Sequence, residues 1–109
     1  MQYLYKVDDA PDRMVRDRTV QALLQRAEGA TPYVVASVRT PAGGGSSEGL
    51  HTHAFEQVFY LLSGQMNVEI DGEQHQAEPG TLILFPAGAL HRNWNAGQTE
   101  TVHLVFNLG

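Results

Sequence analysis

Apolar and polar residues alternate at every second position along much of this chain, in short runs punctuated by glycine and proline. Residues 65–70 are the clearest case, where Met66, Val68 and Ile70 alternate with Gln65, Asn67 and Glu69. A strand turns successive side chains to opposite faces, so this run predicts a half-buried strand. Asp71-Gly72 follows, a dipeptide that tolerates positive φ at both turn centres, and predicts a two-residue hairpin into a return strand over 73–77. The valine-rich run 33–40, bounded by Pro32 and Pro41, reads as another strand. Residues 51–55, 57–62, 81–85 and 100–108 read the same way. The Ser63-Gly64, Pro79-Gly80 and Pro86-Ala87-Gly88 turns lie between them. Residues 1–7 read as a short edge strand ahead of a polar turn over 8–12.

Two segments are less plain. In residues 16–28, Val20, Leu23, Leu24 and Ala27 fit helical spacing, while Val20, Ala22 and Leu24 alternate with Gln21, Leu23 and Gln25 as in a strand. Periodicity alone leans slightly to helix. Gly29 to Pro32 then breaks the segment. Residues 41–49, Pro-Ala-Gly-Gly-Gly-Ser-Ser-Glu-Gly, carry nothing to pack into a core and predict a mobile loop, either a lid over 42–49 or an ordinary surface loop. Eight or more short strands with no convincing long helix predict an all-β sandwich or barrel.

Composition narrows the class. The 109 residues suit one domain, 1–109, and 42% apolar with 17% charged residues is ordinary for a globular chain. The net charge of −5 is unevenly placed: six of the seven Lys/Arg fall in residues 1–39, whereas residues 40–109 hold seven Asp/Glu against Arg92 alone. An acidic second half repels phosphate backbones, so no nucleic-acid partner is expected. No apolar run approaches the length of a membrane-spanning helix and no signal-peptide pattern opens the chain, so a cytoplasmic protein without a membrane partner is the expectation. With no cysteine, disulfides, thiolate metal sites and cysteine nucleophiles are excluded together.

Histidines supply the candidate chemistry. His51 and His53 are two residues apart on a run read as strand, so both imidazoles face one point, and His91 follows a strand and a tight turn that can return it to that point. Three imidazoles suit a divalent transition ion (Zn, Ni, Fe, Mn or Cu) better than calcium or magnesium. These residues sit in two patterns, Gly45-x5-His51-x-His53-x3-Gln57-x6-Gly64 and Gly80-x5-Pro86-x-Gly88-x2-His91-x3-Asn95, separated by fifteen residues. The pair resembles the two motifs of the cupin superfamily, in particular its small single-domain members, and covers about half the chain.

The resemblance implies a double-stranded β-helix, or jelly-roll barrel, with the histidines inside its mouth. It also implies a strand over residues 16–28, a homodimer, and one metal ion held by His51, His53, Gln57 and His91. Gln57 departs from the pattern, since similar proteins usually carry glutamate there. An amide oxygen keeps the reach of a carboxylate but not its charge, leaving the ion's full positive charge to attract an anionic ligand. Its alternative is a degenerate site that no longer holds metal. Glu56 points to the opposite strand face.

Among other polar residues, His75 is expected in solvent and Asn95 to tie down the turn behind it. His103 shares a face of the last strand with Thr101, Val105 and Asn107. If that face looks inward, His103 is the candidate catalytic residue, as proton donor or as support for the metal ligands. A structural or solvent role is the ordinary alternative. The resemblance then implies a metal-dependent enzyme of dioxygenase, isomerase or lyase type acting on a small anionic or enolisable molecule. The rival is a non-catalytic module that binds or senses a small molecule, and a purely structural metal comes third, because a jelly roll has a core without one.

Overall fold

The computed structural model describes residues 2–28, 32–45 and 49–109. Among these residues nine strands form two antiparallel sheets. β1 (Arg13–Val15), β2 (Arg18–Arg26), β3 (Tyr33–Thr40), β4 (Glu56–Ser63), β7 (Leu82–Phe85) and β9 (Thr101–Leu108) make a six-stranded sheet in the order β1-β2-β3-β9-β4-β7. β5 (Met66–Ile70), β6 (Glu73–Ala77) and β8 (His91–Trp94) make a three-stranded sheet in the order β6-β5-β8. This is the jelly-roll architecture expected from the motifs.

The core is built from the inward positions of both sheets: Ala36 and Val38 of β3, Phe59 and Leu61 of β4, Met66 and Val68 of β5, Phe85 of β7 and Val105 of β9. Burying one such large side chain stabilises the fold by about 1.5–3 kcal/mol. The alternation in β5 is realised as read, with Met66 and Val68 buried. Asp71 and Gly72 adopt φ of 48° and 86°, the left-handed pair that a two-residue hairpin between twisted strands requires.

Residues 16–28 resolve as strand β2. Its helical and extended patterns coexist because the register with β3 shifts between Ala22 and Leu24, an irregularity that changes which side chains face inward. Two strand expectations are corrected. Residues 2–6 form no strand and Val7–Asp9 is a 3-10 turn; Tyr3, Leu4 and Tyr5 stay exposed, so apolar alternation there finds no sheet to join. Residues 52–55 are likewise irregular, and His51 contributes only an isolated bridge to His91. Strands β1 and β8 escaped the sequence reading because each is only three or four residues long.

The glycine-rich loop is only partly as expected. Gly44 and Gly45 are buried, and Gly43 and Gly44 exchange backbone hydrogen bonds with Asn95 (Gly43 N–H to Asn95 O 2.8 Å, Asn95 N–H to Gly44 O 2.9 Å). This half is a fixed support for the end of β8. The lid expectation over 42–49 falls in part on residues 46–48, which lie outside the described residues. No helix among the described residues is long and apolar enough to cross a membrane.

Candidate metal centre

His51 and His91 face each other across the bridge, exchanging both backbone hydrogen bonds at 2.9 Å. Their rings lie 4.4 Å apart between centroids, and the His53 ring lies 4.7 Å from His91 and 6.0 Å from His51. One nitrogen from each comes within 4.8 Å of the others, a group that can hold a metal ion. The convergence does not need a regular strand at 51–53, because the bridge fixes His51 and the Gly88 N–H bond to His53 O (2.9 Å) fixes His53. Phe55 stacks on the His53 ring at 3.9 Å, and Phe85 packs 4.6 Å from His91, so both rings are held against apolar neighbours.

The three imidazoles share one further feature. Each Nδ1 lies against a backbone carbonyl two residues away: His51 to Gly49 O (3.1 Å), His53 to Phe55 O (3.0 Å) and His91 to Ala89 O (3.0 Å). A carbonyl only accepts, so Nδ1 carries the proton and Nε2 carries the lone pair. That is the arrangement by which surrounding hydrogen bonds orient metal-binding histidines. His53 Nε2 is buried without a hydrogen-bond partner among the described residues, a costly state that a cation relieves. Three neutral nitrogen donors, with no carboxylate in the group and no cysteine in the chain, fit a divalent transition ion.

Beside the triad opens a cavity of about 130 Å³. Val15, Val20, Val38, Phe59 and Val105 supply its apolar wall, and Arg18, His51, Gln57, Asn93 and His103 supply its polar groups. Arg18 is buried, with its guanidinium donating to Asn93 O (3.2 Å) and Gly45 O (3.5 Å). Gln57 donates its amide N–H to Asn107 Oδ1 at 2.8 Å. Glu56 is exposed, away from the cavity, as its strand parity requires.

Thr101, His103 and Val105 form the buried face of β9, so His103 faces inward, its ring 4.3 Å from Phe59. Burial first, and then the Arg18 charge, lower its pKa from 6.5 to about 3. It is a neutral imidazole at physiological pH, with a buried Nδ1 lacking a hydrogen-bond partner among the described residues. His75 is exposed as expected. Asn95 is buried, donates to Thr99 O (2.7 Å) and Thr40 O (3.2 Å) and accepts from Gly97 N–H (2.9 Å), tying down the turn behind β8.

Sequence reasoning missed Arg18, Asn93 and the bond from Gln57 to Asn107. Asn93 had a signal, since it lies two residues after His91 and shares its face. Arg18 had none, because nothing in its neighbours distinguishes a buried arginine from an exposed one.

Comparison with known proteins gives the same frame. The Cupin domain family profile matches residues 37–107. The chain is 33% identical over 103 residues to Protein SchB of Streptomyces halstedii, covering 94% of this chain and 73% of that protein. In three dimensions it is similar to the polyketide cyclase RemF from Streptomyces resistomycificus, with TM-score 0.83 and 23% identity over 99% of this chain and 80% of that one. It is also similar to a predicted oxalate decarboxylase from Thermotoga maritima, with TM-score 0.83 and 17% identity over 97% and 98% of the two chains.

Proposed function

This chain belongs to the cupin family, and from that premise we propose that it is a metal-dependent enzyme that cyclises an enolisable poly-β-carbonyl compound. The observation that carries the proposal is the set of three imidazoles, each with Nδ1 tied to a carbonyl, one of which, His51, lines a cavity whose wall is half apolar. His51, His53 and His91 would hold the ion, with Gln57 as a fourth ligand through its amide oxygen. A divalent ion there supplies Lewis acidity that favours the enolate of a β-dicarbonyl over its neutral form.

The chain's own groups then set the reaction. Val20, Val38, Phe59 and Val105 exclude water and fold an extended chain back on itself, bringing a nucleophilic carbon near a carbonyl carbon. As the carbon–carbon bond forms, the proton leaving the nucleophilic carbon is balanced by one gained at the new alkoxide oxygen; that hydroxyl then leaves as water with a proton from the adjacent carbon, and enolisation of the remaining ring carbonyls gives the aromatic ring. Arg18, a fixed positive charge in the wall, stabilises the developing oxyanion. His103, being neutral, acts by hydrogen bonding to a carbonyl oxygen and not as an imidazolium acid. No strong base is demanded, because a carbon between two carbonyls is already acidic.

Two features favour cyclisation over decarboxylation of a small dianion. Half the cavity wall is apolar, and no carboxylate lines the cavity among the described residues. Its volume is of the order of the roughly 150 Å³ that accommodates a benzene ring in a protein interior, which suits formation of one ring at a time. RemF is named as a polyketide cyclase, and that likeness supports the substrate class. The second reading is a binding module without turnover, supported by the lack of any carboxylate base lining the cavity among the described residues. We take the protein to act in the cytoplasm and as a homodimer, the pairing being supported by the exposed apolar residues Met14 and Leu82 on edge strands β1 and β7.

The test is to incubate the metal-loaded protein with a linear poly-β-ketone and follow appearance of the aromatic ring by absorbance. Ring formation that is lost with chelator and in Arg18→Met supports the enzyme. Saturable binding of the ketone with no product supports the binding module instead.

A further inference from the structure

We propose that Asn107 is a positioning residue for the metal centre, fixing which end of the Gln57 amide faces the ion. This rests on the reading of Gln57 as a fourth ligand. Gln57 and Asn107 are direct cross-strand partners in the β4–β9 pair, and Gln57 Nε2 donates to Asn107 Oδ1 at 2.8 Å. A glutamine amide has one end that accepts and one that donates. Holding the N–H end on Asn107 turns the oxygen end the other way, and Gln57 lines the same cavity as His51. The reverse pairing, with Asn107 donating to Gln57 Oε1, would point an amide N–H at a cation and is disfavoured by charge.

A glutamate at this position would need no such partner, because both its oxygens are donors to a metal. Exchange of that carboxylate for an amide creates an orientation problem, and Asn107 answers it from the neighbouring strand. Its side chain touches no other proposed ligand through a hydrogen bond among the described residues, so its influence on the metal runs through Gln57. Groups that orient a ligand in this way typically change metal affinity by about 10–100-fold when removed.

The test measures zinc and cobalt affinity by competition with a chromophoric chelator, without substrate, for the wild type, Asn107→Leu, Asn107→Asp, Gln57→Ala and the double variant Gln57→Ala/Asn107→Leu. Asn107→Leu removes the acceptor and is expected to weaken binding about tenfold. Asn107→Asp keeps an acceptor that can only receive the Gln57 N–H, and is expected to bind at least as tightly as the wild type. In the Gln57→Ala background, Asn107→Leu should change nothing further, because the group through which it acts is gone. Asn107→Ala replaces Asn107→Leu should the larger side chain prevent folding.

Equal weakening by leucine and aspartate would overturn the proposal, as would a continued loss in the double variant or full affinity in Gln57→Ala. A wild type without metal affinity would overturn the metal centre itself along with the proposal. Failure to cyclise a ketone, with these affinities as expected, would strike only the proposed reaction.

Discussion

His51 and His91 form an isolated bridge between the segment before β4 and β8, exchanging both backbone hydrogen bonds at 2.9 Å. The two sequence motifs therefore meet at their own histidines. Backbone pairing sets the distance between the rings, and the Nδ1 contacts to Gly49 O and Ala89 O set their rotation. Contacts within the chain thus hold these two rings in place.

Gly45 carries a prediction about the support of that bridge. A Cβ added there would lie 2.9 Å from Asn93 O and 3.0 Å from Trp94 Cα, both backbone atoms that cannot swing aside, and its φ is +90°. Gly45→Ala should destabilise the fold by about 1–3 kcal/mol, read as a lower urea midpoint. An unchanged midpoint would show that the loop and β8 are not packed as described.

Gln57→Glu should tighten divalent metal binding about tenfold, or about 1.4 kcal/mol, because a carboxylate adds a full charge to the ligand set. The same change should weaken an anionic ligand by lowering the net charge of the site. Opposite signs in two calorimetric titrations separate this from a general change in folding. Unchanged metal affinity would remove Gln57 from the ligand set.

His103 predicts a pH dependence of stability in the metal-free protein. Its folded pKa of about 3 lies below the ordinary 6.5, so between these values the unfolded chain binds a proton that the folded chain does not. This contribution is fully present above the unfolded value and is lost as pH falls through the window between the two. At pH 5 the loss should be about 2 kcal/mol relative to pH 8. His103→Phe, which keeps the ring against Phe59, should flatten the profile in chelator-treated samples. An identical slope in both proteins would assign the dependence elsewhere.

How much of this was legible depends on the range of the physics involved. The strands β3 to β7 and β9 follow from alternation and turn chemistry, which are local, and the triad follows from spacing. The edges were not legible: residues 1–7 alternate like a strand but residues 2–6 join no sheet, while β1 and β8 are too short to show a period. The interior polar network was hidden for a different reason. Arg18 and Asn93 are ordinary residues in sequence and acquire meaning only when their separate strands are brought around one cavity, and Asn107 only when β9 sets it opposite Gln57. His103 lay between these cases, since its face was readable but the direction of that face was not.

The most direct test of the central claim is the metal content of the purified protein and of His53→Ala, by elemental analysis after removal of loosely bound ions. His53 sits on an irregular segment outside the core, so the variant should stay folded by circular dichroism. The account predicts about one equivalent of a divalent transition metal per chain in the wild type, on the basis of a single three-histidine group, and loss of most of it in the variant. Equal metal content in the two proteins, or none in either after incubation with zinc, nickel, manganese, copper and iron(II), would contradict it.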